Sequence, residues 1–140
     1  MGKFCIVGTL TTDAQFVGIE RREYLVEISR SAAARCGAAK ATFVHANVEA
    51  SSFEGFDGVY LFNPFYELVG SLIEQIDCST ERSAVLHQHF VRKTTQQLAR
   101  MAPPVAVVTC GGFGGPMSPN YRLVGDEEGG AERLELWTKR

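Results

Sequence analysis

The sequence predicts an α/β fold: a three-layer, doubly wound, mostly parallel sheet with an antiparallel C-terminal strand pair. Three observations carry that expectation. Short runs of β-forming residues alternate with longer stretches of helical period. The runs Phe56–Phe62 and Val105–Cys110 are almost wholly apolar, as befits strands covered on both faces. Tyr121–Val124 and Arg133–Thr138 read as an antiparallel terminal pair.

Taken in order, Phe4–Leu10 is apolar and follows Gly2-Lys3 directly. Ala14–Glu20 is a strand-like run that ends on a carboxylate. Glu23–Cys36 sets Leu25, Ile28, Ala32 and Cys36 at helical spacing, and Gly37 stands where a helix stop is expected. Ala41–Val48 returns to strand character. Phe56–Phe62 ends at Asn63-Pro64, because proline cannot donate to a ladder. Glu81–Met101 has helical period, Pro103-Pro104 breaks it, Val105–Cys110 is a buried strand, and Gly111–Asn120 is a loop.

The 140 residues fit one domain, 1–140, around one core. A net charge of -2 leaves no basic footprint for nonspecific nucleic-acid binding. No apolar run approaches the ~20 residues of a membrane helix, and no secretory leader is visible. Cys5, Cys36, Cys78 and Cys110 are too dispersed for a metal cluster and read as free thiols, hence a cytoplasmic protein.

In doubly wound sheets, ligands sit outside the carboxyl ends of the strands. The residues there are Glu20, Asn47, Asn63 and the Gly111 loop. An ionised carboxylate at Glu20 can accept both ribose hydroxyls of an adenosine-containing cofactor; the alternative is a solvated acid beside Arg21 and Arg22. Asn47 offers an amide that can read an adenine edge, or it forms an Asx turn. Asn63-Pro64-Phe65-Tyr66 is the sharpest motif. Proline stiffens the turn, so the acceptors of Asn63 and Pro64 hold a constant direction and can grip an amine or amide nitrogen. Phe65 or Tyr66 can then stack on a flat substrate, or pack into the core. His87 and His89 lie two apart on a helix and make a poor chelate, so no metal is expected; His45 reads as a strand residue. Gly111–Pro116 opens no helix and reads as a wall over a substrate pocket rather than a phosphate cradle.

The order of these features resembles class I S-adenosylmethionine-dependent methyltransferases over nearly the whole chain, with Asn63-Pro64-Phe65-Tyr66 similar to the N-P-P-Y motif of amino-group methyltransferases and departing from it at Phe65. The resemblance implies a Rossmann-like methyltransferase fold and S-adenosyl-L-methionine as cofactor. It places cofactor binding at Gly2, Glu20, Asn47 and Val48, and catalysis at Asn63, Pro64, Phe65 and Tyr66. In the family a first strand and a D-x-G-x-G-x-G loop stand before this point, with Gly2 as the loop's last glycine. The sequence therefore reads as N-terminally truncated, and a strand edge left exposed would invite self-association. The expected function is methyl transfer to an amine or amide nitrogen of a small-molecule or protein substrate. The alternatives are a noncatalytic, methyltransferase-like interaction module and, third, a dinucleotide-dependent oxidoreductase.

Overall fold

The structure, a computed structural model, describes residues 2–70, 81–130 and 132–140; Cys78 lies outside them. Contacts divide the chain into two compact units, residues 1–51 and 52–140.

The first unit runs α1 (Lys3–Thr11), β1 (Phe16–Glu20), α2 (Glu23–Cys36) and β2 (Ala41–His45). β1 and β2 pair in parallel, from Phe16 opposite Ala41 to Glu20 opposite His45. Parallel neighbours need a crossover, and α2 supplies it. Its buried stripe is Leu25, Val26, Ser29 and Ala33. The stripe anticipated from spacing is shifted: Ile28 is 53% exposed and Cys36 is exposed. Ser29 and Ala33 are small, which lets α2 approach the bulky Phe43 of β2. Ser29 hides its hydroxyl by donating to the Leu25 carbonyl one turn back.

Phe43 is the hub of this unit, buried with Ile6, Val26, Ala33 and Ala38. Two glycines make room for its ring. A Cβ on Gly18 of β1 would stand 2.8 Å from Phe43 Cδ1, and one on Gly2 would stand 2.7 Å from Phe43 Cε1. Gly2 caps α1 with a φ of +70°, a conformation glycine adopts without a Cβ penalty.

The second unit holds β3 (Gly58–Phe62), a 3₁₀ turn (Tyr66–Leu68), α3 (Ala84–Arg100), β4 (Val105–Cys110), β5 (Arg122–Gly129) and β6 (Glu132–Lys139). Its sheet has the order β3-β4-β6-β5, with β3 parallel to β4 and the other pairs antiparallel. β4 is one of the two interior strands, with Val105, Val107, Thr109 and Cys110 buried. β3 ends the order of this sheet; among the described residues Leu61 is buried, Val59 and Tyr60 are half-buried and Phe62 is 65% exposed, so the cover expected on both faces is partial. β5 and β6 form the antiparallel pair the sequence predicts, but β5 extends through the acidic run to Gly129. Acidic residues are poor strand formers, and here cross-strand pairing with β6 overrides that preference.

α3 is closed at both ends. Ser83 caps its start, its hydroxyl accepting from Leu86 N–H at 3.2 Å. At its end, the Tyr121 hydroxyl donates to the Leu98 carbonyl at 2.9 Å, and Lys139 Nζ donates to the Ala99 and Met101 carbonyls at 2.8 and 2.7 Å. The lysine also lies 5.7 Å from the centre of the Tyr121 ring. A cation at this terminus satisfies orphan carbonyls and complements the helix dipole.

Two outcomes follow from this packing. Gly18→Ala drives a methyl group into the Phe43 ring and is expected to cost about 1–3 kcal/mol of stability, read as a lower urea midpoint; an unchanged midpoint would contradict the placement of that ring. Burial pushes the Tyr121 hydroxyl above the usual tyrosine value near 10. Its contribution to stability is therefore intact below that value and is lost as pH rises through the higher folded value, because the unfolded chain ionises first. Wild type is expected to lose more stability than Tyr121→Phe as pH rises above about 10, followed by urea melts at increasing pH.

Candidate active site

In the second unit, the carboxyl ends of β3 and β4 carry the Asn-Pro motif and the first loop glycine side by side. Parallel pairing sets Phe62 opposite Cys110 and continues one step further, with Asn63 N–H donating to the Cys110 carbonyl at 2.8 Å. On the other side of β4, Gly111 N–H donates to the Arg133 carbonyl at 2.9 Å. Three backbone segments are thus tied at one level. A Cβ on Gly111 would lie 3.5 Å from Asn63 Cγ and would overlap the Glu132 carboxylate. The Asn63 amide and the Glu132 carboxylate therefore flank the same glycine.

These residues line a cavity of about 420 Å³ with Pro64, Tyr66, Val69, His87 and Gly114. His87, in the first turns of α3, forms another part of the wall. Gly114 has a φ of +86°, and a Cβ there would lie 2.8 Å from the His87 ring. The chemistry on offer is an amide that donates and accepts, an acceptor-only carboxylate when ionised, an imidazole and an aromatic face.

The Asn-Pro turn is held in unusual backbone. Asn63 has a φ of +37° and Phe65 a φ of +68°. Asparagine tolerates this region; for phenylalanine it costs on the order of 1–3 kcal/mol and persists only where surroundings enforce it. The enforcement is visible: the Phe65 ring packs on Phe90 at 5.3 Å between centroids, and the Phe65 carbonyl accepts from Leu68 N–H at 2.9 Å. Of the two aromatic candidates, Phe65 is committed to this packing and Tyr66, 41% exposed, lines the cavity.

The candidates for cofactor binding all belong to the first unit. Glu20 ends β1; its Oε1 accepts from Arg22 N–H at 2.9 Å and from Arg22 Nη1 at 3.2 Å. Arg22 is buried, whereas the Glu20 side chain keeps 25% of its surface exposed. The pair orients the carboxylate at the strand end. Asn47 adopts the Asx-type turn: its Oδ1 accepts from Glu49 N–H at 3.4 Å, and its carbonyl accepts from the Ser51 hydroxyl at 2.8 Å. Val48 beside it is half-buried. Gly2 stands at the start of α1, against Phe43. His45 Nε2 lies 3.0 Å from the Arg21 carbonyl, and the His89 ring lies 5.9 Å from the Phe90 ring, tilted by 59°. Among the described residues no group of histidine, cysteine or acidic side chains could hold a metal. No helix among them is long and apolar enough to cross a membrane. Cys5, Cys36 and Cys110 are free thiols.

Sequence reasoning passed over two cavity residues. His87 was visible only as a poor metal ligand, although the glycines of the β4 loop signal close approach by a neighbouring side chain. Glu132 carries no local signal, because its place depends on the register of β6 against β4. Gly114→Ala adds a Cβ against the His87 ring at positive φ, so it is expected to destabilise the protein by roughly 1–3 kcal/mol. A parallel change in the His87 ring resonances in a proton NMR spectrum is expected; unchanged resonances would refute the contact.

No protein-family model matches the chain, and no curated protein does. Solved structures match it. An RNA methyltransferase from Salinibacter ruber in complex with S-adenosyl-L-homocysteine superposes with a TM-score of 0.64 at 17% identity, covering 98% of this chain and 73% of that one. TrmN from Thermus thermophilus gives 0.66 at 16% identity, covering 96% of this chain and 40% of that one. The bifunctional kinase–methyltransferase WbdD gives 0.58 at 17% identity, covering 99% and 32%. The chain thus spans well under half the length of the last two. The alternation of strands and helices and the closing antiparallel pair are those of the Rossmann-like class I methyltransferase fold.

Proposed function

We propose that the protein transfers a methyl group from S-adenosyl-L-methionine to a nitrogen acceptor. The observation that carries this reading is the Asn63-Pro64 turn, strained and tied to β4 at the rim of a polar cavity on a class I methyltransferase fold. Rigid acceptors suit a nitrogen that must present its lone pair in one direction, since positioning is what such a catalyst supplies.

The residues of the first unit fit the cofactor. The Glu20 carboxylate is an acceptor fixed by Arg22, suited to ribose hydroxyls. Asn47 and Val48 would border the adenine, one polar and one apolar. Gly2 stands at the start of α1, and a helix start favours a carboxylate. When bound, the cofactor supplies an electrophilic methyl group on a sulfonium. The chain's own work is elsewhere. Asn63 and Pro64 hold the acceptor nitrogen through oxygen atoms, Tyr66 packs against it, and Phe65 locks the turn through Phe90.

Calorimetric titration with S-adenosylhomocysteine tests the reading. Saturable binding to wild type is expected, with Glu20→Ala weakening it about tenfold or more, in line with a lost charge-assisted hydrogen bond. Binding of NADH in its place would favour the oxidoreductase, and binding of neither would favour the noncatalytic module.

A further inference from the structure

The cavity contains an acid that the Asn-Pro motif does not require. Glu132 opens β6, and its carboxylate reaches the point beside Gly111 that the Asn63 amide reaches from the other side. Among the described residues the lining includes no lysine or arginine, and the nearby Arg82 donates to the carbonyl of the lining residue Val69 at 3.4 Å. The strand hairpin that delivers Glu132 is acidic as well. Between Gly125 and Glu135 it carries Asp126, Glu127, Glu128, Glu132 and Glu135 against Arg133. Asp126, Glu127 and Glu128 are exposed, and Arg133 is taken up by an ion pair with Asp126. The Arg133 guanidinium is held above its ordinary range first by Asp126 and further by Glu135 and Glu128, a sign of the negative potential around the hairpin. Because β6 pairs with β4, the start of β6, with Glu132 and Arg133, lies at the carboxyl end of β4, and Glu132 lines the cavity.

Resting on the methyl-transfer reading, we propose that Glu132 is a specificity-determining residue and that the acceptor is a basic polypeptide segment. In this assignment Glu132 accepts a hydrogen bond from the lysine or arginine nitrogen seated beside Asn63. The exposed acids of the hairpin hold basic residues that flank it. A phosphate backbone is disfavoured at the same place, since it would bring like charge against five carboxylates with one paired cation to offset them.

The test is fluorescence anisotropy on the full chain with two labelled probes, a lysine-rich peptide and a single-stranded RNA, each of about twelve units, at low salt. S-adenosylhomocysteine binding is measured on the same samples. The expected result is tighter binding of the peptide than of the RNA. Glu132→Gln is expected to weaken peptide binding roughly fivefold or more, with Glu132→Asp recovering part of the loss. Glu54→Gln, an exposed acid outside the cavity and the hairpin, is expected to leave binding unchanged. RNA bound more tightly than peptide, or equal effects of Glu132→Gln and Glu54→Gln, would overturn the assignment. If that happens while S-adenosylhomocysteine still binds, only the acceptor class falls. If S-adenosylhomocysteine fails to bind, the methyl-transfer reading falls with it.

Discussion

The pairing of β4 on both of its edges holds the second unit in place. All six of its residues pair with β6 on one side, and five of them, Ala106–Cys110, pair with β3 on the other. Chain segments distant in sequence, around residues 63, 111 and 132, are thereby locked at one level. Neither Asn63 nor Glu132 has any local reason to approach Gly111. Both arrive because a ladder has a fixed register, and a slip of one residue would turn every side chain to the opposite face. Buried Val105, Val107 and Thr109 pin that register, and Thr109 adds a polar key by donating its hydroxyl to Glu135 Oε2 at 3.0 Å across to β6. Glu135 also accepts from the Trp137 indole at 3.4 Å, so this carboxylate serves the sheet while Glu132 is left to the cavity.

The first unit solves a different problem with a similar economy of means. A two-stranded parallel sheet has little area of its own, and one aromatic ring has to unite both strands with both helices. Burying a phenylalanine contributes on the order of 2–3 kcal/mol, but only where the backbone can come close. Gly2 and Gly18 provide that closeness around Phe43. The absence of a side chain at Gly2 admits the ring while its left-handed backbone starts α1, so two requirements of packing and backbone meet in one residue.

Much of this could be read from the residues alone. α2 and β4 have the bounds that their period and punctuation indicate, because each is flanked by strong breakers: Gly37 after the helix, Pro103-Pro104 and Gly111 around the strand. Elements whose limits depend on partners were less legible. β5 continues through Asp126–Glu128 because β6 lies beside it, and β2 stops at His45 because Asn47 turns the chain. The stripe of α2 shifted for a similar reason, since what covers it, the Phe43 ring, is known only once β2 is placed. In the cavity, Asn63, Pro64 and Tyr66 stand out as a contiguous motif. His87 and Glu132 do not, since they meet the motif through tertiary register.

The turn at Phe65 has an evolutionary consequence. The amino-group motif that Asn63-Pro64-Phe65-Tyr66 resembles carries proline at the third position, and a proline ring confines φ to about -65°. Phe65 has a φ of +68°, on the opposite side of the conformational map. A single codon change could write that motif into the sequence no more faithfully than a left-handed part fits a right-handed socket. The loop would have to be rebuilt, and the Phe65–Phe90 contact with it. The difference at this position is thus one of backbone geometry rather than an exchange of side chains alone.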